Sequence, residues 1–320
     1  MNSQLPGTSD PELEHWVAVL DSIMDGEVAM NMLVASGDRA VPYLEHFLLA
    51  GSPRAIALPR CRAVHALGEL GAYFTLISYF REYDFPTDAE VLFAEDAVRS
   101  AAARELMRWR SDEVLQVLMD AAKQRATGGL VLAIGEFHRP EAVPLLFQIL
   151  EDDFCRQEAK DGLRKVRDAA HQYAILLIRG LSETPFYGSS ALHRRRATLQ
   201  LLDEFGVASS EWRDLQPFLY ESDADVVISA ARIGCRLSSE ADRQRIVEAL
   251  FRISEHANWA QEEEIETLLD SYSTLACKVA HAVVEERSNR GERANWLAPS
   301  WRILRHVLGR ELERRHHGSA

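Results

Sequence analysis

A nine-residue segment that occurs twice constrains this chain more than any other feature. AVPYLEHFL at 40–48 returns as AVPLLFQIL at 142–150, with the proline and the apolar positions in register. A second pattern precedes such segments: AVHALGELG at 63–71, LVLAIGEFH at 130–138 and, more loosely, ATLQLLDEFG at 197–206. AARELMRW at 102–109 and AKDGLRKV at 159–166 keep only the apolar spacing, and weaker copies fall at 28–35 and 226–237. Each clear copy sets a small or apolar residue four positions before a large apolar one: Ala63/Leu67, Ala102/Leu106, Leu130/Ile134, Ala159/Leu163 and Ala197/Leu201. Four positions are about one helical turn, so each pair shares a face. The pairs begin 39, 28, 29 and 38 residues apart, as a unit of about 30 residues with variable loops would give.

One unit reads as two helices. Ala63 and Ala66 let a neighbouring helix approach closely, and Gly68 and Gly71 are expected to end the first helix, because glycine enters the left-handed region without steric penalty. The second helix opens on Pro42 or Pro144, where a missing N–H costs nothing. Val41, Leu44 and Leu48, or Val143, Leu146 and Leu150, then form its apolar stripe at spacings of three and four. One pair cannot bury both stripes, whereas stacked pairs can. No sustained period-two alternation bounded by hairpin turns argues for strands.

The ALGELG turn, the AVPxL start of the second helix and the aspartate-then-arginine openings (Asp96 to Arg99, Asp153 to Arg156) resemble HEAT repeats of the phycobilin-lyase type. The resemblance spans roughly 25–255 and is clearest over 60–165. It implies an all-α, right-handed α-solenoid of about six to seven helix pairs with a C-terminal helical cap. Residues 1–24 are then an acidic N-terminal capping segment, 256–316 a long helix plus a capping helix, and 317–320 a tail. Within 256–316, apolar residues at 265, 268, 269, 272, 275, 276, 279 and 283 predict one long amphipathic helix, and a last helix is expected around 297–315. Loops are expected at Gly51 to Pro59, Asp84 to Asp88 and Thr127 to Gly129. The stretch 182–190, with Phe186 and Tyr187, is the best candidate for a break.

Charge narrows the partners. The 36 basic and 49 acidic groups leave a net −13, which opposes binding to nucleic acid or to an anionic membrane surface. The first 50 residues carry eight acids and one base, Arg39, whereas 301–320 carry five arginines against Glu311 and Glu313. The arginine cluster His193 to Arg196 opens a predicted helix. Cys61, Cys155, Cys235 and Cys277 show neither CxxC nor zinc-ligand spacing with histidine and read as small core residues. Free thiols, a start without a signal-peptide pattern and no apolar run of about 20 residues make a cytoplasmic protein the expectation.

No GxSxG, HExxH, P-loop or GxGxxG occurs, so neither a cofactor, a metal nor a catalytic residue is expected. Glu69, Glu136 and Glu204 recur at one repeat position, which argues for one repeated structural task. The function expected is a non-catalytic scaffold or adaptor that binds a protein partner, a basic one by charge, or inhibits it. Aligning 40–48, 113–121 and 142–150 gives a strip of outward positions: Tyr43, His46, Gln116, Met119, Leu145 and Gln148. The resemblance also admits an enzyme or enzyme subunit, either a phycobilin-lyase-like pigment handler or a DNA glycosylase-like protein. The first needs a pigment pocket and the second a positive groove with an aromatic clamp and a positioned acid.

Overall fold

A computed structural model of the chain describes residues 10–82, 84–181, 189–237 and 239–317. The fold is all-α, with no strand among the described residues. It divides into two compact units, Met1–Val166 and Arg167–Ala320. The division falls upstream of 182–190, and residues 182–188 of that expected break, with Phe186 and Tyr187, lie outside the described residues.

The first unit runs α1 (Pro11–Val19), α2 (Gly26–Ala35), α3 (Val41–Glu45), α4 (Leu58–Glu69), α5 (Tyr73–Arg81), α6 (Ala89–Leu106), α7 (Asp112–Gln124), α8 (Gly128–Glu136), α9 (Val143–Ile149) and α10 (Arg156–Lys165). Helices α2, α4, α6, α8 and α10 each pack on the next of the series, while α3 packs on α1 and α7 on α5. The unit is thus two layers of alternating helices. All four small-to-large pairs of this unit are fully buried, because their shared face lies between the layers.

The second helices begin as their prolines require. Pro42 and Pro144 each occupy the first turn of α3 and α9, after short 3₁₀ turns at Gly37–Ala40 and Pro140–Ala142. Gly71 follows α4 at φ +71°, as a helix-ending glycine should. Gly68 does something else: it lies inside α4, and a Cβ there would collide with the Glu105 side chain on α6. Gly135 of α8 faces backbone instead of a side chain, since its Cβ would stand 2.7 Å from the Gly162 Cα of α10. Thr127 to Gly129 is no loop. Thr127 caps α8 by accepting from the Leu130 N–H at 3.4 Å, and Gly129 gives room to Ser100.

Buried charge holds the layers in register. Arg60 of α4 meets Glu95 of α6 at 2.6 Å, and Tyr79 of α5 donates to the same carboxylate at 2.9 Å. Arg60 also donates to the carbonyls of Phe47 and Gly51, which end the preceding segment. Arg99, fully buried in α6, donates to the Ala121 carbonyl at 3.1 Å and lies 4.9 Å from the Phe85 ring centroid. These arginines satisfy carbonyls that helix ends leave open.

The second unit runs α11 (Arg167–Leu181), α12 (Ser189–Phe205), α13 (Trp212–Leu215), α14 (Ala224–Leu237), α15 (Glu240–Ile253), α16 (Trp259–Asp270), α17 (Ser273–Asn289) and α18 (Pro299–His317). Here α12, α14, α16 and α18 form one packed series, with α11 on α13 and α15 on α17. The expected long helix is two helices. Ser271 and Tyr272 donate their N–H groups to Leu268 and Leu269 in tightened turns, and the chain reverses into α17. α16 and α17 therefore continue the same alternation as the helices before them.

Candidate functional site

The repeated carboxylates sit between neighbouring helices. Glu69 pairs with Arg108 at 2.5 Å and Glu136 pairs with Lys165, each joining one first helix to the next. Hydrogen bonds from Arg108 and Lys165 hold the two carboxyls below the ordinary value of 4.5. In the second unit the equivalent residue is Asp203, six positions after Ala197 as Glu69 is after Ala63. Asp203 accepts from Arg232 at 2.9 Å and also pairs with Arg236. The row of acids is therefore an interhelix clasp, which Asp203 joins in the second unit.

The arginine cluster is likewise occupied by the chain's own acids. Arg195 pairs with Glu221 at 2.5 Å, and Arg196 lies 2.9 Å from Asp223 and 3.2 Å from Asp225. All four cysteines are free, and burial pushes the Cys155 thiol up to about 12. Among the described residues no cluster of three or more His, Cys, Asp or Glu is placed to hold a metal ion. No described helix is long and apolar enough to cross a membrane.

The six residues of the expected strip separate. Tyr43 is 6% exposed and Leu145 5%, so neither points outward. Tyr43 instead accepts the Asp10 N–H at 2.8 Å and ties the start of α1 to α3. The physical reason is the neighbourhood of a second helix in a layered stack. It touches its own first helix and helices beside it, so the buried arc exceeds the roughly 100° stripe of an isolated amphipathic helix. In α9 only Pro144 and Gln148 reach the surface. His46 is half-buried where α3 passes into a π-helical turn, His46–Ala50, and Met119 is half-buried on α7.

Gln116 lines a cleft. This cleft, of about 380 Å³, lies between α5 and α7. Its floor is apolar and buried: Phe80, Val117 and Ala121. Its rim is polar and exposed: Arg81, Glu113, Gln116, Asp120 and Gln124. The rim is ordered by its own contacts. Tyr73 donates to Glu113 at 2.9 Å and Arg81 pairs with the same carboxylate at 2.8 Å. Gln116 donates to Asp120 at 2.9 Å, and Lys123 pairs with Asp120 at 2.8 Å. The Tyr73 hydroxyl, then Arg81, holds Glu113 below 4.5, and the Gln116 amide, then Lys123, holds Asp120 below 3.8.

Both acids are thus ionised at neutral pH and have no proton to give. They stand seven residues apart on one helix, about 10 Å at 1.5 Å per residue, too far to share a proton. The arrangement can bind an apolar group flanked by a cation or an amide. The sequence signal for it was the i, i+4 ladder Glu113–Val117–Ala121 beside Gln116–Asp120–Gln124, which lays an apolar edge against a polar one.

Two further clefts carry other chemistry. One of about 430 Å³ over α8 and α10 is lined by Glu158, Asp161, Arg164 and Lys165, whose charges are partly mutual, with Arg164 2.6 Å from Asp161. One of about 370 Å³ in the second unit has Arg213, Tyr220 and Arg245 on its rim. No protein-family model matches the chain, and no curated protein matches it either.

Proposed function

We propose that this chain is a non-catalytic scaffold, an α-solenoid of HEAT-like helix pairs that binds a protein segment on the surface of its second helices. The α5–α7 cleft carries the reading: an apolar floor of Phe80, Val117 and Ala121 under an ionised rim. Protein-binding surfaces of this kind set an apolar centre inside a polar margin. The segment it suits presents one large apolar side chain with a lysine or arginine on either side, attracted by Glu113 and Asp120 and by the net −13 of the whole chain. The right-handed sense of the solenoid belongs to the same proposal, and a cytoplasmic setting accords with four free thiols.

The test places a photo-crosslinking residue at Gln116 in the native source, with a control at Arg104, which is exposed on the first helix α6. A protein product from position 116 that is absent at 104, and that weakens at least tenfold with Glu113→Lys, supports the reading. A stoichiometric small molecule that co-purifies with the chain, with no protein product at 116, overturns it.

A further inference from the structure

Each unit has a cleft between successive second helices, and the two clefts differ in charge. The α5–α7 cleft of the first unit carries Glu113 and Asp120 on its rim. In the second unit the 3₁₀ turn Gln216–Tyr220 continues α13 and packs on α15. The cleft of about 370 Å³ at this contact is lined by Arg213, Gln216, Pro217, Leu219, Tyr220 and Arg245. It has two arginines and no described acid in its lining, although acids outnumber lysine and arginine by 49 to 36 in the whole chain.

The neighbouring acids are engaged elsewhere. Asp214, next to Arg213, pairs with Arg179 at 2.8 Å, and Glu221, next to Tyr220, pairs with Arg195 at 2.5 Å. Glu248, one turn after Arg245, accepts from Gln244 at 2.9 Å. Arg213 is exposed, and no acid among the described residues pairs with it. Arg245 reaches Asp242, one turn earlier on α15, through a single N–H at 3.4 Å, so most of its five donors stay open. Asp242 is buried and also accepts the Gln216 amide at 2.9 Å, the Ser239 hydroxyl at 2.9 Å and the Trp212 indole N–H at 3.4 Å. It is a positioning residue that ties both walls of the cleft together from beneath. The carbonyls of Leu219 and Glu221 are taken by Arg252, at 2.5 and 2.9 Å. What faces solvent is two guanidinium groups beside the exposed Pro217 and the Tyr220 ring, which is 67% exposed, over the buried Leu219.

We infer that this cleft binds an oxyanion, a carboxylate or phosphoryl group, carried on an aromatic or apolar body. Guanidinium forks pair with such anions through parallel, charge-assisted hydrogen bonds, and their planes stack on aromatic faces. Tyr220, Pro217 and Leu219 supply the apolar wall that a bare inorganic ion would not use. The inference stands on the second unit alone and is independent of the α5–α7 cleft, whose acids select a cation.

Titration of the isotope-labelled full chain with phenyl phosphate, benzoate, inorganic phosphate and benzylamine tests it, read at the arginine Nε–H resonances. At least one of the two aryl anions should shift Arg213 and Arg245 and half-saturate at ~1–10 mM, as ligands of that size do; the lower value of the two names the preferred anion. Inorganic phosphate should bind at least tenfold more weakly, and benzylamine should leave both resonances in place. Arg213→Gln and Arg245→Gln should each weaken the aryl anion at least tenfold, whereas Arg243→Gln, exposed on α15 outside the cleft, should not. All three side chains are exposed, so the fold tolerates each change. Tyr220→Ala should weaken the aryl anion and leave inorganic phosphate unchanged. Neither aryl anion shifting Arg213 or Arg245 overturns the inference. Inorganic phosphate binding as tightly as the aryl anions marks an adventitious ion only and overturns it too, as does an equal loss in Arg243→Gln, which marks diffuse attraction.

Discussion

Adding one methyl group at Gly135 should loosen the first unit although the new residue is the better helix former. An alanine Cβ there stands 2.7 Å from the Gly162 Cα, whereas carbons in ordinary contact lie about 3.5–4.0 Å apart. Helices α8 and α10 must then separate by about 1 Å, and no rotamer change relieves a clash with backbone. Overpacking of this kind costs about 1–3 kcal/mol, and a backbone contact belongs at the upper end. Against it stands the gain of about 1 kcal/mol from replacing a mid-helix glycine by alanine. The net is about 2 kcal/mol of destabilisation, a sizeable share of the roughly 5–15 kcal/mol of a typical domain. Gly162→Ala meets Leu146 Cδ1 at 3.1 Å and Gly135 Cα at 3.2 Å, so its smaller clash is offset by propensity and the change is near zero. Gly309→Ala, inside α18 with nothing within 4 Å, should stabilise by up to about 1 kcal/mol. Urea unfolding followed by circular dichroism, with hydrogen exchange on the α8 and α10 amides, reads all three. A Gly135→Ala protein as stable as wild type, or more so, refutes the close-packed contact.

Three further outcomes follow from the buried and clasping charges. Arg60→Met leaves Glu95 buried without its cation and should cost about 3–5 kcal/mol, most of it recovered by adding Glu95→Leu; thermal melts of the single and double variants decide this. Glu69 and Glu136 are held below their ordinary 4.5 by hydrogen bonds from Arg108 and Lys165. Their contribution is present above the unfolded value and is lost as pH falls through the lowered folded one. Stability should therefore decline below about pH 5, less steeply in Glu136→Gln, and only slightly because both pairs are exposed and solvent-screened; urea midpoints across pH measure it. Cys155, with burial raising its thiol to about 12, should resist alkylation at pH 8 until urea opens the first unit, which mass spectrometry of the labelled peptide will show.

Local rules settled much of this protein before any contact was known. The prolines at 42 and 144 and the left-handed Gly71 act within a few residues of themselves, and the small-to-large pairs state which side of each first helix is buried. The all-α class and most helix positions therefore stand in the sequence. Periodicity failed where phase was preserved across a turn. The apolar series from Ile265 to Val283 reads the same as one helix or as a hairpin of two, and only the docking of α16 against α14 and α17 against α15 distinguishes them. Tyr43 and Leu145 looked outward because a stripe was counted against one neighbour, and the layers supply several. The cleft has the same origin. Gln116 was named as outward on its segment and Glu113 and Asp120 share its helix, but Phe80 and Arg81 come from another helix some thirty residues earlier. Sequence spacing determines which face a helix will bury, because that depends on 3.6 residues per turn. Only the tertiary structure decides what that face meets, because that depends on where distant segments come to rest.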